Sequence, residues 1–241
     1  TAITTLVLVP GLNVLFTVLL GADLAANDTV RIGCASALIA TLSSVAAGIV
    51  ARVATDRWIG VFEYVCTARP VDAGYWLGAA AVPALLASVT GLSNVGIVWL
   101  LSLTEPSTGA GSGLLLGAIA LMPAAILGGV CLGIFAAGLG LYLSDPYTGS
   151  NVLSIVLPVS AGVIVPVSTY PAWLAWLCSW VPGSRLMQAL DTSGGIASTA
   201  PDLFALLATD AALAVLYAAV GLGLTFLAAR RIRAGARASL L

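Results

Sequence analysis

Apolar residues fill six long runs of the chain, at positions 4–22, 30–53, 76–103, 113–143, 151–168 and 203–229. A helix needs roughly 20 residues to cross about 30 Å of hydrocarbon, and each run approaches or exceeds that length. The breaks between them, GADLAANDT, TEPSTGAGS and SDPYTGSN among others, are rich in turn-forming residues. The pattern predicts an all-α, polytopic membrane protein of six transmembrane helices, forming one transmembrane domain over residues 1–241. The first run has no basic segment before it and no clear small-residue cleavage site, so it reads as a span rather than a signal peptide.

The longest interruption is the polar island from Arg52 to Tyr75, RVATDRWIGVFEYVCTARPVDAGY. Within it Trp58, Ile59, Phe62, Val65 and Cys66 recur at helical spacing, with Asp56, Gly60, Glu63 and Thr67 between them. This predicts a short amphipathic helix over 56–68, its start favoured by Asp56 and its end set by Pro70 after Arg69. Asp72 then caps the next span. The pattern fits equally a helix lying on lipid headgroups and a helix docked against a protein partner.

A second unusual segment runs from Ser168 to Asp202. Trp173, Trp176 and Trp180 share a helix face, and Pro171 and Pro182 bracket them. Tryptophans so placed fit either an aromatic anchor at the outer headgroups or a re-entrant element lining a pathway.

Composition then removes function classes. Hydrophobic residues make up 60% of the chain and charged residues 8%, with a mean hydropathy of +1.10, so membrane lipid is the solvent. A net charge of -1 gives no reason to expect a nucleic-acid partner. All nine basic residues are Arg, and a phosphate-binding GxxxxGK[ST] loop needs a Lys, so ATP cannot be held here by that route. The absence of His removes Ser/His catalysis and most zinc and haem sites. Cys34, Cys66, Cys131 and Cys178 lie far apart and read as small packing residues rather than metal ligands. No catalytic residue and no metal site is expected.

Positive residues collect on the cytoplasmic side of membrane proteins. With both termini cytoplasmic, Arg52, Arg57, Arg69, Arg230, Arg231, Arg233 and Arg237 lie inside and only Arg31 and Arg185 outside. Polar groups within the runs are few. Asn13 and Asn94 mark a pathway or, more readily, hydrogen bonds between helices. Asp210 falls about 12 Å into the last run, and a proton-relay role for it is disfavoured. Gly129 with Gly133, and Gly74 with Gly78, form GxxxG pairs that permit close helix approach. Pro83, Pro123 and Pro158 fall inside runs, where kinks are expected.

Two stretches resemble the permease subunits of type-2 ABC exporters: TDRWIGVFEYVCTARPVDAGYWLG, between the second and third runs, and LPVSAGVIVPVSTYPAWLAWLCSWVPGSRLMQAL, after the fifth. The resemblance implies a permease that moves an amphiphilic substrate (a drug or antibiotic, a lipid or a lipid-linked glycan) out through a bacterial plasma membrane. It implies a cytoplasmic coupling helix in which Asp56, Arg57, Trp58, Gly60, Phe62 and Glu63 dock a separate ATPase subunit that carries ATP and Mg. It also implies a second permease copy or homologue, and an extracellular re-entrant helix pair before the last span, with Pro171, Trp173, Trp176, Trp180 and Pro182 as its gate. The amphipathic elbow helix common before the first span of that family is not found in these residues. A secondary carrier or channel working without an ATPase is the alternative, and it predicts intramembrane charges or an inverted repeat.

Overall fold

The computed structural model describes residues 26–68, 73–103, 109–162, 167–193 and 203–238. The run 4–22 with Asn13 lies outside the described residues, as do Arg69, Pro70 and Asp72. The described chain forms eight α-helices: α1 (Ala26–Trp58), α2 (Val61–Ala68), α3 (Ala73–Ser102), α4 (Gly109–Gly140), α5 (Thr148–Ser160), α6 (Ala172–Cys178), α7 (Ser184–Ser193) and α8 (Leu203–Ala238), with a 3₁₀ turn at Val167–Thr169. Four of them, α1, α3, α4 and α8, are long and apolar enough to cross a membrane. Pro83 and Pro123 sit inside continuous helices.

α1 is the hub. Its most extensive contacts are with α4, then α3. Gly33 lies against Val98, Gly91 against Thr41, and Gly48 against Pro83, while the Tyr75 hydroxyl donates to Asp56, so α3 climbs as α1 descends. α4 runs parallel to α1, with Gly129 against Leu42 and Val45, and Gly133 against Ala46 and Ile49. A Cβ on Gly129 would stand 2.5 Å from the Leu42 carbonyl oxygen, a backbone atom that cannot swing aside. The Gly129/Gly133 pair therefore joins α4 to α1 within one chain. Gly78, by contrast, faces open space, and the Gly74/Gly78 pair makes no such junction through it.

α8 meets α4 at a third small-residue crossing, Gly138 against Gly221, where backbone touches backbone. Within the most apolar 18 residues of each helix, 61% are buried in α1 against 22% in α8, so α1 is central and α8 peripheral. Leu77, Leu85 and Trp99 of α3, and Phe204, Val215 and Phe226 of α8, point outward. Such extended apolar surface is stable in lipid or under another subunit, not in water.

The fifth predicted run, 151–168, is not a continuous span. α5 has 13 residues, about 20 Å of helix, and Gly162 beyond it takes φ +67°. α5 begins level with the ends of α1 and α4, where the Trp58 and Tyr147 rings meet edge to face and Gly149 lies on the Ala136 carbonyl. α7 begins where Gly183 touches Leu42 and Ile39, and it reaches Arg31 through Asp191. The two short helices thus follow one another along α1, α5 long enough for about two thirds of the depth that a single helix would cross and the ten-residue α7 for about half.

Substituting Gly129→Val should destabilise the protein by about 1–3 kcal/mol through overpacking against α1, whereas Gly78→Ala should be neutral or slightly stabilising. Thermal unfolding of both variants in the same detergent checks this.

Candidate functional site

Arginines collect where α1 and α4 end: Arg52 and Arg57 on α1, and Arg230, Arg231 and Arg233 on α8. The helix predicted as one piece over 56–68 is two. α1 continues through Trp58, and α2 starts at Val61. Between them Gly60 adopts φ +81°, a conformation that side-chain-bearing residues rarely take. α2 ends at Ala68, before the Arg69–Pro70 step, and a residue preceding proline disfavours helix.

α2 is anchored by Phe62 and Cys66, one turn apart and both essentially buried, which pack with Ala229 and Ile232 of α8. Phe62 also meets the Tyr75 ring edge to face at 6.1 Å. The opposite side is open: Trp58 and Tyr64 are each 74% exposed and Ile59 is 70% exposed, with Val61 and Glu63 beside them. Burial pushes the Cys66 thiol above its ordinary range. The neighbouring Arg233 charge acts the other way, and Glu63 adds to the rise.

The six residues expected to dock a partner therefore divide. Trp58 and Glu63 are accessible. Phe62 faces α8, and Asp56 is buried, accepting the Tyr75 hydrogen bond at 3.1 Å beside Arg52 at 3.5 Å. Arg57 donates to the Gly140 and Leu143 carbonyls at 2.8 and 3.0 Å, satisfying the end of α4. Gly60 makes the turn. Ile59, Val61 and Tyr64 complete the outward face. Strict periodicity placed Ile59 on the buried side, and the Gly60 break shifts the phase.

The tryptophan segment lies towards the other end. Pro171 precedes α6, which ends at Cys178, two residues before Trp180. Trp173, Trp176 and Trp180 are half exposed or more, and Trp176 and Trp180 meet edge to face at 6.0 Å. Pro182 is buried. Next to it Asp210, buried on α8, accepts the Gly183 backbone N–H at 2.9 Å, and Arg185 is close by. A carboxylate on the first amides of α7 meets the positive end of its dipole. Asp210 is thus a cap supplied from another helix. Arg31 and Asp191 form a two-pronged ion pair at 2.5 and 2.9 Å that holds the other end of α7 to α1. Asn94 is buried on α3, and its side-chain oxygen has no partner among the described residues.

No family model, no curated protein and no solved structure matches this chain. The local geometry is therefore the basis for any assignment.

Sequence reading left three features unseen: the Arg31–Asp191 pair, the Asp210 cap and the Gly138/Gly221 crossing. The first had a signal, since an Arg and an Asp outside the arginine-rich end invite pairing. The other two depend on which helices become neighbours.

Two outcomes follow. Asp210→Ala, leaving buried amides unmet, should cost about 1–3 kcal/mol, while Asp210→Asn, which keeps an acceptor, should retain most of the stability in the same melting assay. Cys66 should alkylate more slowly than an ordinary thiol with a pKa of about 8.5. Its rate should rise only at higher pH, because a raised pKa leaves less thiolate at any given pH. Arg233→Gln should move that profile further up, as read by iodoacetamide labelling of a variant whose only cysteine is Cys66.

Proposed function

We propose that this chain is the membrane-spanning permease subunit of an ATP-driven exporter, paired with a second permease copy or homologue and with separate ATPase subunits. The observation that carries the proposal is the outward face formed by Trp58 and Ile59 at the end of α1 and Val61, Glu63 and Tyr64 on α2, a short helix whose inner face is locked by Phe62 and Cys66. An apolar, aromatic face carried rigidly beyond membrane-length helices suits a groove on a soluble partner. ATP and Mg belong to that partner in this reading, which the lack of any Lys for a GxxxxGK[ST] loop in this chain supports.

In this proposal the arginine-rich end is cytoplasmic and both termini face the cytoplasm of a bacterial cell. The six crossings are the run 4–22, α1, α3, α4, the α5 and α7 pair, and α8. Trp173, Trp176 and Trp180, between Pro171 and Pro182, form the extracellular gate, and the α5 to α7 interruption takes the place of the re-entrant pair. The substrate is amphiphilic, since the described spans present mostly apolar and small side chains.

Glu63→Arg together with Tyr64→Arg should abolish co-purification of the proposed ATPase partner, and with it export, while leaving expression and melting unchanged. Retained association and transport would refute the docking role. Phe62 is unsuited to that test because it faces α8. An ATPase-independent carrier is favoured by one observation, the broken helix with buried Asp210 at its break. Transport by the purified chain alone in proteoliposomes would select it.

A further inference from the structure

A cavity of about 470 Å³ opens between the first turns of α3, the lower half of α4 and α8, a size usual for a small-molecule site. Its walls include Ile134, Leu222, Phe226 and Ala229, all apolar, and its polar groups include Trp76 and Arg233. Trp76 is only 6% exposed, and its indole N–H has no hydrogen-bond partner among the described residues. The same is true of the buried Nε of Arg233. An unmet buried donor is costly unless a ligand or water supplies the acceptor.

Indole and guanidinium are donors with no acceptor capacity, so the complement must be an acceptor, and beside a permanent cation it is best anionic. The long apolar wall requires hydrocarbon on the same molecule. The cavity also lies at the arginine-rich end, where headgroups meet the spans, and Arg230 and Arg231 sit close by in sequence.

We propose that this cavity binds one anionic phospholipid, its phosphate held by Arg233 and the Trp76 indole N–H, and its acyl chain laid along Ile134, Leu222 and Phe226. The site depends on the chain lying in a bilayer and not on an ATPase partner, so it can fail or hold independently of the exporter proposal.

The test uses the full chain in phosphatidylcholine nanodiscs containing a minor share of phosphatidylglycerol or phosphatidylcholine brominated on one acyl chain. The Trp76 contribution is taken as the fluorescence difference between the protein and its Trp76→Phe variant. Brominated phosphatidylglycerol should quench that contribution several-fold more than brominated phosphatidylcholine. Arg233→Gln should remove the preference, and Arg233→Lys, which keeps the charge, should retain part of it. Equal quenching by the two headgroups would overturn the proposal. So would no quenching by either, as when residues 1–25 of the chain fill the cavity. Loss of the preference on adding inorganic phosphate alone would also overturn it, by showing a simple anion site.

Discussion

A backbone amide in hydrocarbon has no water to turn to, and the interior of this protein is arranged around meeting that demand. The four long helices meet it within themselves. The segment between α4 and α8 cannot, because its helix stops at Ser160, returns as the seven-residue α6, and starts again at Ser184. At the resumption the freed amide of Gly183 finds Asp210 on α8, and Gly183 itself takes φ +99° against Leu42. Capping by a distant carboxylate, rather than by a neighbouring Ser or Asp, ties the break to two long helices at once. At the arginine-rich end Arg57 does the comparable service for the last carbonyl of α4, at Gly140, and for that of Leu143 just beyond it.

Close backbone approach is the second organising element. Without a hydrophobic drive between helices in lipid, contact area and short distances hold a bundle together. Gly129 and Gly133 let α4 reach α1, and Gly138 and Gly221 let α8 reach α4. Large side chains are sent outward instead, on α3 and α8. The polar pair Arg31–Asp191 sits away from the arginine-rich end, where it fastens a helix too short to hold itself.

Much of this was legible in the sequence. Long apolar runs foretold α1, α3, α4 and α8 because a membrane-length helix is apolar on the faces it packs and on those it leaves outward alike, and GxxxG pointed correctly to Gly129. The fifth run misled because apolarity from 151 to 168 does not reveal that Gly162 turns the chain. Periodicity through Trp58, Ile59 and Phe62 assumed an unbroken helix, and one glycine at positive φ rotated the two halves relative to each other. Asp210 was visible as a buried charge, but its partner is a backbone amide 27 residues away, which no spacing rule encodes. The outward face of α2 carries little sequence signal, since Tyr64 and Val61 would serve equally well as core.

α8 carries both of the places described above. Ala229 seats α2 near one end, Asp210 caps α7 near the other, and between them Gly221 rests on the backbone of α4. At 1.5 Å per residue the two arms are about 12 Å and about 16 Å long. A rigid rod that comes closest to its neighbour at Gly221 is a lever with its fulcrum there: a tilt that carries Ala229 one way carries Asp210 the other, with slight gain. Pressure on the short helix would reach the broken one as a pull on the amides that Asp210 caps.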